Sequence, residues 1–325
     1  MNEKKRSTLL GAALVVLGIL AGIWLADGFS QAGERGPILR WPQGGFQKPE
    51  QTTVTEPSVP AGPAAPMGSL FSAEDVTRIS LRYGDDCGYR PNLEELLLQP
   101  LQWEDVADGP LVLIVHTHGS ESYTKLPEQN YIQTTDYRTL NNAYNVVALG
   151  DRLAFLLEQA GIRVIHDRTL HDYPSYNASY TNSRASVQAY LRQYPTIRLV
   201  VDLHRDAVLN GDGSQYAPVA EVNGTKVAKM MLVVGTDASG MHHPDWQDNL
   251  SAALKLQALL ERHTAGITRP TILRAQRFNH DLSPGAMIVE MGTAGNTLSE
   301  AMAAVPILAT AMVELCRGAT ADSTS

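Results

Sequence analysis

The sequence of 325 residues has few cysteines and no excess of basic charge. Its two cysteines, Cys87 and Cys316, lack the C-x-x-C spacing of a cysteine zinc site. Outside the cytoplasm they could form one bridge between the start and the end of a domain, and two separate buried thiols fit equally well. The net charge of −8 comes without a basic stripe, which argues against nucleic acid as a partner. No internal repeat is visible.

Charged residues are absent from one long stretch near the amino end. Residues 9–26 form an apolar run broken only by glycines and follow the basic cluster Lys4, Lys5 and Arg6. About 17–25 residues suffice to cross a membrane, and basic residues on the amino side predict a cytoplasmic amino terminus. Residues 1–26 are therefore predicted to be a cytoplasmic tip and transmembrane anchor. A cleaved signal peptide is the alternative, which the lack of a clear cleavage site after the run disfavours.

Large apolar side chains are scarce between residues 27 and 68, which are rich in Pro, Gly, Gln, Thr and Ala. Such a segment buries too little surface to offset its ordering entropy, so it is predicted to be a flexible, disordered linker. Residues 69–318 have an ordinary globular composition and are long enough for one large catalytic domain. Residues 319–325 are predicted to be a disordered tail.

The globular part alternates short β-prone runs with longer amphipathic segments. The predicted strands are residues 111–115, 162–165, 197–203, 227–234 and 286–289, and the predicted helices are residues 141–160, 178–193, 245–264 and 296–316. This alternation predicts an α/β fold with a mostly parallel twisted sheet flanked by helices. Two irregular stretches, residues 122–140 and 171–180, follow strands and are predicted to line a substrate groove.

Three polar motifs each follow an apolar strand run. They are His-Thr-His-Gly-Ser-Glu at 116–121, Asp-Leu-His-Arg-Asp at 202–206 and Val-Glu-Met-Gly at 289–292. If the runs belong to one parallel sheet, their carboxyl ends meet at the rim where α/β sheets bind ligands. Two imidazoles and a carboxylate can hold zinc with one position open, and a further carboxylate can act as a base. The motifs therefore predict a zinc hydrolase.

The predicted zinc ligands are His118, Glu121 and His204. Because His118 and Glu121 are three positions apart, a turn places both side chains on one side. His116 is the alternative first ligand, since residues two apart on a strand share a face, or it supports the site from beneath.

Glu290 and Arg205 are the predicted catalytic residues. A carboxylate at the end of an apolar strand is costly unless it has a partner or a role, so Glu290 is predicted to be a general base. An internal salt bridge to Arg205 is the alternative. Arg205 is predicted to clamp a substrate carboxylate or to stabilise an oxyanion, a role that His116 could share. Asp202 or Asp206 is predicted to orient His204.

Four longer motifs carry a resemblance to a known family. They are His-Thr-His-Gly-Ser-Glu-Ser-Tyr at 116–123, His-Asp-Tyr-Pro-Ser-Tyr-Asn at 171–177, Asp-Leu-His-Arg-Asp-Ala at 202–207 and Asn-His-Asp-Leu-Ser-Pro-Gly at 279–285. In this order they resemble stage II sporulation protein P over roughly residues 105–315. The resemblance implies a sporulation cell-wall hydrolase with the fold of zinc-dependent N-acetylmuramoyl-L-alanine amidases. It also implies an endopeptidase activity, and a partner, stage II sporulation protein D, during engulfment.

By this resemblance His118, Glu121 and His204 hold the zinc ion, and Glu290 is the acid/base. In the broader amidase pattern the carboxylate ligand comes from the helix after the first strand, but the region of Asn145 has no acid here. Glu121 takes that role by its spacing.

The predicted function is thus cleavage of the amide between N-acetylmuramic acid and the stem peptide of peptidoglycan by an extracytoplasmic domain. A zinc carboxypeptidase is one alternative, because it uses a similar set of residues. A cell-wall-binding domain without catalysis is the other.

Overall fold

A computed structural model of the chain describes residues 70–101, 103 and 109–322. The predicted anchor, the predicted linker and the last three residues lie outside the described residues. Everything below concerns the described part of the chain.

The described chain forms a seven-stranded sheet, a separate hairpin and five α-helices. The strands are β1 Leu81–Tyr83, β2 Val112–Val115, β3 Val164–His166, β4 Leu199–Asp206, β5 Val219–Val222, β6 Thr225–Ala228, β7 Met230–Gly235, β8 Thr271–Arg274 and β9 Gly285–Thr293. The helices are α1 Leu93–Leu98, α2 Val146–Gln159, α3 Ser179–Gln193, α4 Trp246–His263 and α5 Leu298–Asp322. The strand order β1-β8-β7-β9-β4-β2-β3 is parallel throughout except at β7–β9, and β5 pairs with β6.

Successive side chains of each strand point to opposite faces of the sheet, so the strands separate two apolar cores. The larger core contains residues of α1, α2, α4 and α5, and we call this side the four-helix face. The smaller core on the other side contains Val187 of α3, with Tyr190 and Leu191 packed against it. We call this side the α3 face. On β2, Val112 and Ile114 belong to the four-helix face, whereas Leu113 and Val115 belong to the α3 face.

The predicted α/β fold with a mostly parallel sheet is confirmed. Each predicted helix and strand has a counterpart, with shifted ends. Helix α2 begins after Asn145, whose side chain accepts the Val147 N–H, rather than at the predicted residue 141. Gly161 follows the helix with φ of 83°, the left-handed conformation in which helices commonly end.

Several elements were not predicted. Strands β1 and β8 and helix α1 have six residues or fewer, which is too short for a clear period. The run predicted as one strand at 227–234 is divided between β6 and β7. The hairpin β5–β6 turns at Asn223 and Gly224, both with positive φ, so the Asn-Gly pair was an available hairpin signal.

Both cysteines are buried free thiols, so the disulfide alternative was wrong and the two-thiol alternative holds. Burial raises the pKa of the Cys316 thiol to about 12. Cys316 lies in α5, whose segment Leu298–Ala319 is the one helix among the described residues long and apolar enough to cross a membrane. In the fold α5 instead packs against α2, α4 and β6 as a core helix.

Candidate active site at the strand rim

The predicted site residues converge on the carboxyl ends of β2, β4 and β9. Residue His204 of β4 lies directly beside Glu290 of β9 in the parallel register, and Val115 lies beside Asp202. Strand alternation points Asp202, His204 and Glu290 to the α3 face, because their neighbours Leu203 and Val289 belong to the four-helix face. The fold therefore brings two strand-end acids and a histidine together on one surface.

His118 reaches this surface from the turn that follows β2. Its ring lies perpendicular to the His204 ring, with 5.3 Å between centroids, and stacks on the Tyr176 ring at 4.5 Å. The Nδ1 atom of His118 is buried without a hydrogen-bond partner among the described residues. Burial lowers the pKa of His118, so the imidazole is neutral at pH 7 and has a lone pair for a ligand.

Glu121 lies at the centre of the cluster. Its Oε2 accepts the Arg205 backbone N–H at 3.2 Å and lies 3.4 Å from His204 Nδ1. Its Oε1 is 3.4 Å from the Arg138 guanidinium. Burial alone would raise the pKa of Glu121, but Arg205 and His204 outweigh it and hold the pKa at about 2. The side chain is therefore a permanent carboxylate.

The backbone of Glu121 also contacts the start of α2. Its carbonyl accepts the Val146 N–H at 2.9 Å, and the adjacent Ser122 pairs with Asn145, the N-cap of α2. Glu121, the predicted carboxylate ligand, thus lies beside the N-cap of this helix.

His204 is flanked by two carboxylates. Its Nε2 lies 2.8 Å from Asp202 Oδ1, although the two are not aligned as a hydrogen bond, and its Nδ1 faces Glu121. Burial lowers the pKa of His204, but the two carboxylates outweigh burial and raise it well above its usual value. Asp202 is held in turn by the Thr117 N–H and hydroxyl, at 2.7 and 2.5 Å. This chain of contacts fixes the His204 ring.

Glu290 differs from the other acids of the site. Its Oε2 is buried and has no hydrogen-bond partner within residues 70–101, 103 and 109–322. Burial raises the pKa of Glu290 to about 8, against the lowering influence of His204. A carboxyl group that titrates near neutral pH is suited to accept and return a proton. The alternative salt bridge to Arg205 is not formed, since Arg205 pairs with Glu121.

His116 is separated from the cluster. It continues the alternation of β2, in which Val112 and Ile114 belong to the four-helix face, and therefore points to that face. Its Nδ1 lies 2.9 Å from the Leu203 carbonyl, and its Nε2 lies 2.8 Å from His166 Nε2. Gly150 of α2 packs against both rings, and a Cβ atom there would lie within 2.6 Å of each. His116 therefore sits beneath the strand that carries His204, with both nitrogens in use.

The side chains of Arg205 and Asp206 also have hydrogen-bond or ion-pair partners within the protein. Arg205 donates from Nε to the Ser122 carbonyl and from Nη2 to the Tyr137 carbonyl, each at 3.0 Å, while Nη1 faces Glu121. Its guanidinium thus holds the 122–140 loop rather than an open cleft. Asp206 pairs with Arg269 at 2.7 Å, whereas the carboxylate beside His204 is that of Asp202.

Two residues of the site were not predicted, because they lie in aperiodic loops. Arg138 bridges Glu121 and Asp172, with 2.6 Å to the Asp172 carboxylate, and its guanidinium lies 4.8 Å from the Tyr176 ring centre. Asp172 also accepts the Ser120 N–H and hydroxyl. The two loops predicted to line a groove are therefore joined directly above the cluster.

The donors of the cluster fit a zinc ion by their chemistry. His118 Nδ1 is buried without a partner among the described residues, and His204 turns Nδ1 toward Glu121 while its Nε2 faces Asp202. The 3.4 Å between His204 Nδ1 and Glu121 Oε2 is close to the spacing of two ligands each about 2.1 Å from zinc. No three His, Cys, Asp or Glu side chains of the described residues already surround a metal position. At least one side chain must rotate to complete a ligand set.

Several solved structures are similar to this chain, among them two amidases. The amidase AmiC2 of Nostoc punctiforme is 12% identical with a TM-score of 0.38 and covers 65% of this chain and 97% of its own. The CwlD amidase of Clostridioides difficile, solved with the GerS lipoprotein, is 14% identical with a TM-score of 0.39 and covers 63% and 96%.

The fold and the site together define an α/β protein with a buried histidine–carboxylate cluster at its strand rim. The sequence profile of stage II sporulation protein P matches residues 70–313, and the chain belongs to that family. The curated stage II sporulation protein P of Bacillus subtilis (strain 168) is 26% identical over 210 residues, which cover 61% of this chain. The match spans about half, 49%, of the length of that relative.

Proposed function

We propose that the chain is a zinc-dependent peptidoglycan amidase that separates the stem peptide from N-acetylmuramic acid during sporulation. The observation that carries this proposal is the meeting of His118, Glu121, His204 and Glu290 at one strand rim on the α3 face. Membership of the sporulation family supports the substrate and its setting.

In the proposed reaction Glu290 accepts a proton from a water molecule as the water oxygen attacks the scissile carbonyl carbon. The carbon–nitrogen bond then breaks, and Glu290 returns the proton to the leaving nitrogen. A zinc ion held by His118, Glu121 and His204 would supply Lewis acidity, which makes water acidic near neutral pH and polarises a carbonyl. Asp202 keeps His204 oriented throughout.

The finer parts of the proposal concern the whole chain. Residues 1–26 anchor it in the membrane with the amino terminus in the cytoplasm, residues 27–68 are a flexible linker, and residues 69–318 work outside. The enzyme acts during engulfment beside stage II sporulation protein D, and it also cuts peptide cross-links.

Product analysis tests the activity. The full-length chain in detergent micelles, loaded with zinc, is incubated with purified peptidoglycan, and the soluble products are identified by mass spectrometry. Stem peptides with a free amino-terminal alanine are expected. Glu290→Gln should abolish their release, whereas Glu158→Gln, the same change on an exposed site of α2, should not. Release of single amino acids would indicate a carboxypeptidase instead, and binding without any product would indicate a wall-binding domain.

Elemental analysis tests the ligands. The wild type should hold about one zinc per chain, and Glu121→Ala and His204→Ala should lose it. His116→Ala should keep it, because His116 lies on the four-helix face. Zinc retained by Glu121→Ala but lost by His116→Ala would contradict the assignment.

A further inference from the structure

In the proposed reaction, negative charge develops on the carbonyl oxygen as water adds to the carbon. Enzymes stabilise such a charge with fixed hydrogen-bond donors. The two donors predicted from the sequence are both committed elsewhere. The guanidinium of Arg205 donates to two backbone carbonyls and faces Glu121. His116 lies on the opposite side of the sheet, against His166. A protein donor for this oxygen has to come from another residue.

Tyr180 has the position that such a donor needs. It lies in the first turn of α3, on the same face as the cluster, and its ring meets the His118 ring at nearly a right angle with 5.6 Å between centroids. The side chain is half-buried. Of the residues described, none bonds to its hydroxyl, whereas its backbone carbonyl accepts two hydrogen bonds. The hydroxyl is therefore a donor without a structural partner.

The electrostatic surroundings keep this hydroxyl protonated. Burial raises the pKa of Tyr180, and the carboxylates of Asp202, Glu290 and Glu121 raise it further, far above neutral pH. The phenol therefore keeps its proton near neutral pH. It can donate a hydrogen bond at any pH at which Glu290 works, without losing its proton.

The fold also fixes the backbone of Tyr180. Its carbonyl accepts the Asn279 side-chain amide at 3.0 Å, and the same amide reaches the Ser183 hydroxyl at 3.0 Å. Phe278, which has a positive φ of 54°, places its ring 5.8 Å from the Tyr180 ring. The motif at 279–285, for which the sequence suggested no role, thus holds the first turn of α3 against the site.

We propose that Tyr180 is a catalytic residue of the amidase reaction proposed above, on which this inference rests, and that its hydroxyl hydrogen-bonds the developing oxyanion. Water adds to the carbonyl carbon and the C=O electron pair moves onto the oxygen, where Tyr180 donates its hydrogen bond. The pair returns as the carbon–nitrogen bond breaks and the nitrogen takes the proton from Glu290. Tyr180 keeps its own proton throughout, so no further reactant is needed.

The test compares two tyrosines of α3 that lose the same oxygen atom. Tyr180→Phe is set against Tyr190→Phe, which lies on the same helix and packs in the small core away from the cluster. Both variants are made in the full-length chain, and kcat, KM and zinc content are measured on a muropeptide. Binding of a phosphinate in which a tetrahedral phosphorus replaces the scissile carbonyl is measured by calorimetry.

Loss of one oxyanion donor costs about 10²–10³-fold in kcat, and Tyr180→Phe should show this loss with KM and zinc content close to those of the wild type. The phosphinate should bind at least about ten-fold more weakly, since its oxygens mimic the transition state. Tyr190→Phe should match the wild type in all four measurements.

The results separate the two proposals. If the wild type releases stem peptides and Tyr180→Phe equals Tyr190→Phe in kcat and in phosphinate affinity, the role of Tyr180 is wrong and the amidase function stands. Loss of zinc in Tyr180→Phe would also overturn the role, because it would indicate a disturbed site. If the wild type releases no stem peptides, the proposed function fails, and the role of Tyr180 fails with it.

Discussion

The two faces of the central sheet are made by alternate residues of the same strands, and they have different chemistry. Along β4, Leu199, Val201 and Leu203 enter the large core of the four-helix face. The residues between them are Val200, which is apolar, and then Asp202 and His204. The α3 face is therefore apolar at the amino ends of the strands and polar at their carboxyl ends.

Alternate residues of one strand therefore contribute either to the stability of the fold or to the candidate active site. Four helices cover one face with apolar side chains, which supply most of the buried area that stabilises the fold. The other face carries the charged cluster, in which Glu121 and Asp202 have partners whereas His118 Nδ1 and Glu290 Oε2 have no hydrogen-bond partner among the described residues. Neighbouring residues on β4 should then fail in different assays when they are changed.

The largest effect is expected from His204→Ala on the α3 face. Loss of a predicted zinc ligand should reduce muropeptide hydrolysis by more than about 10³-fold, which corresponds to about 4 kcal/mol of transition-state stabilisation. His263→Ala is the matched control, because His263 ends α4 and pairs with Glu314 far from the rim. If His204→Ala retained activity, the proposed catalytic site on the α3 face would be wrong.

The adjacent change Leu203→Ala should give the opposite pattern. Truncation of a fully buried leucine costs about 2–5 kcal/mol of the free energy of unfolding, which urea unfolding measures. Activity per folded molecule should stay close to that of the wild type. Leu209→Ala, at a 61% exposed leucine, should leave stability nearly unchanged. Equal stability of the two variants would argue against the large core as the source of stability.

A smaller effect is expected from Asp202→Asn, which keeps the shape but removes the charge beside His204. Loss of a residue that orients a metal ligand costs about 10–100-fold in metal affinity, and competition with a chelator measures it. Asp212→Asn, in an exposed turn, is the control. If both variants hold zinc equally well, Asp202 does not orient His204.

A pH-dependent effect on stability is expected from Lys255, an ionisable group buried within the four-helix face. Burial lowers its pKa to about 7, whereas an unfolded lysine titrates near about 10.4. The unfolded state therefore binds the proton more tightly between these values, and stability should rise with pH by up to about 1.4 kcal/mol per unit. Below about pH 7 both states hold the proton and the dependence ends.

Unfolding measured from pH 7 to 10 should show this rise in the wild type and in Lys226→Met, whose lysine is exposed. It should be absent from Lys255→Met, in which Ser251 still donates to the Leu96 carbonyl and leaves no donor unpaired. Parallel curves for all three proteins would contradict a neutral buried Lys255.

The rim could be predicted because apolar strand runs end in polar motifs, and parallel strands align their ends. That argument placed His118, Glu121, His204 and Glu290 together without any knowledge of the loops. The expectation that His116 and His118 share a face does not hold, because β2 ends at Val115 and the chain turns before His118. Arg138 was missed because its contacts depend on the path of an aperiodic loop.

The order of the strands could not be predicted from the sequence, for a related reason. Strands β8 and β1 join the sheet beside β7, which runs antiparallel to β9, and none of these pairings follows from periodicity. Each depends on contacts between residues far apart in sequence. Tyr180 could be predicted as part of a groove, whereas its contact with the His118 ring depends on the packing of α3 against residues 278 and 279.

The position of α5 after every other described element bears on how the domain folds during synthesis. Helix α5 packs against α2, α4 and β6, and the ribosome makes it after all of them. Until it emerges, the apolar sides of two earlier helices have no cover, and the nascent domain is open to proteases and chaperones. A premature stop codon near residue 298 would thus release a chain with every predicted catalytic residue and no closed core.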